Sequence, residues 1–387
     1  MLRIAPALLL ALLLVPAAAG RPIAPPINGL VVYPRYSNQG LAAVDPATGR
    51  THGIAGAHGQ ADDPTYSPDG RRIAYVRSPG FCFPEPCPEP APLYVIGAEG
   101  GRPQPIVDDA DWPSWSPDGS RIAFVHDGGL EVVDADGRHR RTVVARPADG
   151  NPVHNPAWSP DGKTIAFWRN VPAPRCCLES VRLDAGTPIA LPRAPAAAVD
   201  RAPAWSPNSA RVAVGELRRC SGGRCGDGPY LTLLPVGGGG ARVVLTRGDM
   251  PVWSPDGRSI AFVWGGLQVI PATGGRPRRI ATLLDLGGLG RFDSHRVSWQ
   301  PLCTMRGTRR PDALTGSARA DLICGLGGDD EITGGAGEDK LFGEDGDDRF
   351  LARDGEFDVV GCGPGRDRVT ADAQDLVGVD CEVVRRR

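Results

Sequence analysis

Tyr66-Ser-Pro-Asp-Gly70, Trp115-Ser-Pro-Asp-Gly119, Trp158-Ser-Pro-Asp-Gly162, Trp205-Ser-Pro-Asn-Ser209 and Trp253-Ser-Pro-Asp-Gly257 are five copies of one pentapeptide, and Trp299-Gln-Pro301 is a worn sixth. Their aromatic residues stand 49, 43, 47, 48 and 46 positions apart. A recurrence of that length is one four-stranded propeller blade. Around each copy the local grammar is the same. A short strand ends at the aromatic residue, and Pro-Asp-Gly turns the chain: Pro sets φ, Asp bonds back to the backbone, and Gly accepts a positive φ. A second strand follows with apolar alternation, as in Arg121-Ile-Ala-Phe-Val125. A third, such as Leu130-Glu-Val-Val133, and a fourth, such as Arg141-Thr-Val-Val144, complete the unit.

The ends of the repeat predict how the ring closes. Leu30–Tyr33 and Leu41–Val44 read as second and third strands with no first strand before them, and Val297–Trp299 reads as a first strand with nothing after it. Joined, they make one blade, so six motifs give six blades, and closure removes exposed sheet edges. These residues resemble the TolB propeller family, whose fold also occurs in the propellers of prolyl oligopeptidases. The resemblance covers about 270 residues and implies a six-bladed disc around a central channel. Two departures limit it. The sequence before Leu30 is too short for the separate N-terminal domain that TolB carries, and no Gly-x-Ser-x-Gly elbow is present. The Tol–Pal role is therefore not carried over.

From Gly307 the period becomes nine. The third to fifth units read GLGGDDEIT (325–333), GGAGEDKLF (334–342) and GEDGDDRFL (343–351). Position six is Asp312, Asp321, Asp330, Asp339 and Asp348, and a slipped sixth unit supplies Asp358, with Asp367 nine later. Position eight is apolar: Leu314, Ile323, Ile332, Leu341 and Phe350. Six glycine-rich residues turn the chain and three make a strand. Two units then form one coil of a parallel β-roll, so carboxylates two units apart fall in one column. Calcium bridging that column, with glycine carbonyls completing an oxygen shell, relieves the repulsion. The block resembles the repeats-in-toxin, haemolysin-type, calcium-binding family. All seven aspartates are expected metal ligands and Ca²⁺ the cofactor. Arg309, Arg310 and Arg319 stand where glycines are expected, so the sites using those turns are expected to be empty.

The expected architecture is all-β: a six-bladed β-propeller over residues 20–302 and a short C-terminal parallel β-roll over 303–387. Residues 1–19 read as a signal peptide, with a basic start at Arg3, an apolar run from Leu8 to Val15 and the small residues Ala17–Ala19. Export fits the ten cysteines. Nearest-neighbour pairing gives Cys82–Cys87, Cys220–Cys225, Cys303–Cys324 and Cys362–Cys381. Cys176 and Cys177 either bridge each other or pair elsewhere. The net charge of −2 argues for neither a nucleic-acid binder nor a polyanion, and no later segment is apolar enough to span a membrane. Residues 307–387 hold 19 acidic against 11 basic residues, as a cation-binding tail would.

Enzyme motifs are absent: there is no metalloprotease helix, phosphate loop or nucleophile elbow. One constellation carries a charge pattern. Four residues before each aromatic stand Asp62, Asp111, His154, Arg201, Asp249 and His295. If the strand alternates regularly, positions 0, −2 and −4 share a face, and the six form an ionisable ring at one mouth of the channel. The long stretches 78–91, 169–180 and 216–229, which carry six of the cysteines, are expected on that same side. The expected function is that of a secreted, monomeric, non-enzymatic binding or scaffolding module for an extracellular protein or glycan. The alternative is a secreted hydrolase or lyase using the ring.

Overall fold

The computed structural model describes residues 28–35, 40–78, 91–170, 176–191, 202–217, 220–221, 224–225, 229–236, 241, 243–281 and 297–386. Among them every regular element is a strand. The expected leader, residues 1–19, lies outside them. Among the described residues no helix is long and apolar enough to cross a membrane.

Six four-stranded antiparallel sheets make the propeller. Blade 1 runs from Gln60–Tyr66 to Gln104–Val107, blade 2 from Asp111–Trp115 to Arg141–Val144, and blade 3 from Val153–Trp158 to Pro188–Ala190. Blade 4 runs from Ala204–Trp205 to Val243–Arg247, and blade 5 from Asp249–Trp253 to Arg278–Ala281. Blade 6 joins the two ends. Ser298–Pro301 pairs with Asn28–Pro34, which pairs with Leu41–Val44 and then with Thr51–Gly53. The closure expected from the sequence is the one observed, with a fourth strand, Thr51–Gly53, beyond the three that were read. The seam is hydrogen-bonded at Gln300, which stands where the other copies have serine. Its Nε2 donates to the Gly70 carbonyl at 2.8 Å, and its Oε1 accepts from the Leu30 amide at 3.3 Å.

The pentapeptide turns are self-contained. The Ser116 hydroxyl donates to Asp118 Oδ1 at 2.5 Å and accepts from the Arg121 amide at 2.9 Å. Ser159 with Asp161 and Ser254 with Asp256 repeat the pattern. The aromatic residue stitches blades together. Trp115, Trp205 and Trp253 each donate from Nε1 to a backbone carbonyl of the preceding blade, at Thr65, Ala157 and Ala204. Apolar clusters between successive blades, such as Ala74, Leu93, Trp115, Ile122 and Phe124, form the core.

The C-terminal region is a parallel β-solenoid of two five-stranded sheets. One sheet contains Met305–Arg306, Leu322–Gly327, Lys340–Asp345, Val359–Gly361 and Leu376–Val377. The other contains Ala313–Thr315, Glu331–Thr333, Arg349–Ala352, Arg368–Ala371 and Val383–Arg386. The position-eight residues Ile323, Ile332, Leu341 and Phe350 are fully buried between them. Cys303–Cys324 and Cys362–Cys381 are disulfides, as paired from the sequence. Cys82 and Cys87 lie outside the described residues, as do the side chains of Cys176, Cys177, Cys220 and Cys225. The backbones of Cys220 and Cys225 face each other in a small hairpin.

The first of these sheets is largely apolar on both faces, Lys340 apart. Its outward residues Leu322, Cys324, Phe342 and Val359 are buried, because this side lies on the propeller. A Cβ on Gly361 would fall 2.2 Å from the Asp118 carbonyl oxygen, and one on Gly162 would meet Leu376. Arg71 pairs with Glu344, and Lys163 Nζ lies 5.6 Å from the centroid of Phe357. Gly162, Asp118, Arg71 and Lys163 all belong to or adjoin Ser-Pro-Asp-Gly turns. The roll therefore caps the turn side of the disc.

Candidate calcium column and propeller channel

The stacked carboxylates follow one rule. The amide of Asp312 donates to Asp330 Oδ1, that of Asp330 to Asp348 Oδ1 and that of Asp348 to Asp367 Oδ1, each at 2.8 Å. On the alternate units Asp321 donates to Asp339 and Asp339 to Asp358, again at 2.8 Å. The columns continue past the seven aspartates: Asp358 donates to Asp375 Oδ1 and Asp367 to Glu382 Oε2. Those two end members were not read from the sequence, because their spacing of 17 and 15 residues departs from the 18 or 19 of the others.

Only one oxygen of each carboxylate is used this way. Oδ2 of Asp330, Asp339, Asp348, Asp358 and Asp367 is buried with no hydrogen-bond partner. An orphaned buried carboxylate oxygen is costly unless a cation answers it. The space beside these oxygens is lined by glycine. A Cβ on Gly325 would fall 2.2 Å from Asp330 Oδ2 and 2.8 Å from the Gly343 carbonyl, and one on Gly343 would fall 2.1 Å from Asp348 Oδ2. Such a cradle of carboxylate and carbonyl oxygens fits a hard divalent cation.

The first two aspartates differ. Asp312 Oδ2 accepts from the Thr308 amide at 2.6 Å and the Thr308 hydroxyl at 2.8 Å, and Asp321 Oδ2 accepts likewise from Ser317 at 2.7 and 2.8 Å. There the amide and hydroxyl of Thr308 and of Ser317 already satisfy the second carboxylate oxygen. The turns of Arg309, Arg310 and Arg319, expected from the sequence to have empty sites, thus coincide with carboxylates that are already satisfied.

Burial pushes the carboxyls of Asp339, Asp358 and Asp367 up to about 7 and that of Asp348 up to about 6, against the pull of the amide each accepts. Asp330 is raised for the same reason. The neighbouring carboxylate adds to the effect, so the metal-free column resists full ionisation.

The ionisable ring is placed differently from the expectation. Asp62, Asp111, His154 and Asp249 do occupy one register position in four blades, opposite Val76, Val125, Trp168 and Val263. Arg201 and His295 lie outside the described residues. In all four blades, however, a β-bulge falls between position −4 and position −1. Its extra residue is left-handed, with φ of 52° at Asp63, 52° at Trp112, 49° at Asn155 and 51° at Met250. One inserted residue inverts the alternation, so position −4 does not share a face with the aromatic residue. Asp249 accordingly leans on Gly215 of the preceding blade, and its Oδ1 accepts the Met250 amide at 2.8 Å. His154 meets the edge of Trp112 at 5.1 Å. Among the described residues no three His, Cys, Asp or Glu side chains gather as a metal cluster. The signal was legible: Pro64, Pro113, Pro156 and Pro251, inside a strand, mark a bulge.

The channel holds a cavity of about 290 Å³. Its wall includes Tyr66, Trp158, Trp205, Trp253 and Trp299, the prolines of the turns, and Ser114 and Asn155. One lining residue comes from the roll: Lys340, next to Asp339 of the column.

Comparison with known proteins agrees with these two parts. The RTX calcium-binding nonapeptide repeat family matches residues 306–338 and 325–356. A chain of a nidogen/laminin complex superposes with a TM-score of 0.51 at 9% identity, over 70% of this chain and 98% of its own. TolB from Acinetobacter baumannii superposes with a TM-score of 0.51 at 17% identity, over 70% of this chain and 66% of its own. An oligogalacturonate lyase in complex with manganese aligns at 17% identity with a TM-score of 0.42, over 62% of this chain and 70% of its own, and no activity follows from a likeness of that depth. No curated protein matches the chain by sequence. The chain joins a six-bladed propeller of TolB-like fold to RTX repeats, which bind calcium.

Proposed function

We propose that this is an exported, non-enzymatic binding or scaffolding module, in which calcium orders the roll and the propeller presents its opposite face to an extracellular protein or glycan. The observation that carries the reading is the stack of five buried carboxylate oxygens without donors, at Asp330, Asp339, Asp348, Asp358 and Asp367. These five are the assigned ligands, with glycine carbonyls beside them. Asp312 and Asp321 are assigned a structural role. Calcium repeats and two disulfides suit an oxidising, calcium-rich medium, and the leader-like residues 1–19 suit export. With the roll on the turn side, the face for a partner is the one that carries the starts of the innermost strands.

The test is a calcium titration of the mature chain by circular dichroism and calorimetry, followed by a glycan and protein array with and without chelator. Cooperative gain of β structure and calcium-dependent retention of a partner are expected. Indifference to calcium at about millimolar levels would overturn the reading. For the hydrolase or lyase alternative the measurement is metal uptake before and after His154→Ala with His295→Ala.

A further inference from the structure

The chain uses arginine almost everywhere a cation is needed. Its only lysines are Lys163 and Lys340, and both sit where the roll meets the propeller. Lys340 is the odd member of its strip. Its register neighbours on the roll sheet are Leu322 and Val359, which are buried against the propeller. A third apolar side chain would suit a docking face there. The strip instead places a lysine where it passes over the channel, and Lys340 is the only charged residue among the described residues lining the cavity. It makes no ion pair among the described residues.

We propose that the propeller channel binds a small organic carboxylate with a flat apolar body, held by the Lys340 ammonium that the roll presents at the closed end. The wall of indole, phenol and proline rings offers stacking surface to a flat ligand. The hydroxyl of Ser114 and the amide of Asn155 are within the same cavity to orient a polar group. A single compact ammonium in a largely apolar cavity is matched by one carboxylate, since a charge-assisted hydrogen bond compensates its desolvation. A phosphate, with its second charge, would call for more than one cation or an arginine fork. This site is distinct from the partner-binding face and stands whether or not that face binds anything.

Trp158, Trp205, Trp253 and Trp299 line the cavity, so tryptophan fluorescence of the full chain in calcium reads occupancy. The probes are phenylacetate and its neutral isostere phenylacetamide. Saturable quenching is expected, with phenylacetate tighter than the amide by about tenfold or more. Lys340→Gln should erase that preference and Lys340→Arg should retain part of it. A thermal melt of each variant in calcium monitors folding. If Lys340→Gln unfolds, the acid–amide comparison on the wild type and on Lys340→Arg decides. Equal binding of acid and amide by the wild type would overturn the proposal. So would an absence of saturable quenching up to about 10 mM, or wild-type affinity for phenylacetate in folded Lys340→Gln.

Discussion

Asp330 donates its amide to Oδ1 of Asp348, 18 residues on, at 2.8 Å, while Asp348 Oδ2 is buried without any donor. Each such carboxylate is thus half engaged by the protein, and on the proposed assignment its other half meets an ion. The amide fixes the carboxylate's orientation, so the free oxygen is aimed before calcium arrives. Pre-aiming lowers the ordering cost of binding.

The division within the column yields a mutational contrast. Asp348→Ala or Asp358→Ala removes an unanswered oxygen and should weaken calcium binding at least about tenfold. Asp312→Asn and Asp321→Asn touch oxygens already held by Thr308 and Ser317 and should leave it close to unchanged. Isothermal titration calorimetry of the four variants checks this, and a loss in Asp321→Asn as large as in Asp348→Ala would refute the assignment.

Calcium-free stability should depend on pH in an unusual direction. Asp339, Asp358 and Asp367 are raised from 3.8 to about 7, and burial is the main cause. The folded roll then holds protons that the unfolded chain releases. Its contribution is full below the unfolded value near 4 and is lost as pH rises through about 7. Melts in chelator should shift downward from about pH 5 to about pH 8. In saturating calcium the same range should be close to flat, because the ion-bound carboxylates and the unfolded ones are then both ionised. Parallel trends with and without calcium would contradict this.

The ring seam offers a third measurement. Gln300 is 7% exposed and bonds both Gly70 of blade 1 and Leu30 of its own blade. Gln300→Ala leaves the buried Gly70 carbonyl and the half-buried Leu30 amide unanswered and should cost about 1–3 kcal/mol. Denaturant unfolding and limited proteolysis near residues 28–34 are the readouts. Wild-type behaviour in both would show that the seam does not depend on this side chain.

Gly361→Val tests the docking of roll on propeller. The added Cβ would meet the Asp118 carbonyl at 2.2 Å and Phe342 at 2.8 Å, and backbone cannot give way cheaply. The interior of the roll, on the other side of that strand, is untouched. A larger radius of gyration by small-angle scattering is expected, with calcium uptake retained. An unchanged radius would mean that the interface accommodates the side chain.

The sequence by itself determined the two periods, and with them both folds. A pentapeptide recurring at blade length specifies six blades, because each unit contains the turn that closes its own hairpin. Nine-residue spacing specifies the carboxylate columns, because position six recurs on the same side of every second strand. The closure of Ser298–Pro301 on Asn28–Pro34 and two disulfides were likewise legible. Faces were another matter. Period-two reasoning placed Asp62, Asp111, His154 and Asp249 on the face of the aromatic residue, and a bulge at the residue before proline moved them off it. Outward residues of the roll had a visible apolar pattern at Leu322, Cys324, Phe342 and Val359, but only docking says what covers them. Lys340 is the clearest case. It holds one of nine positions in a repeat, and nothing local distinguishes it from a solvated surface lysine. Its place in the channel is decided by how the roll packs on the propeller, which is a property of neither repeat alone.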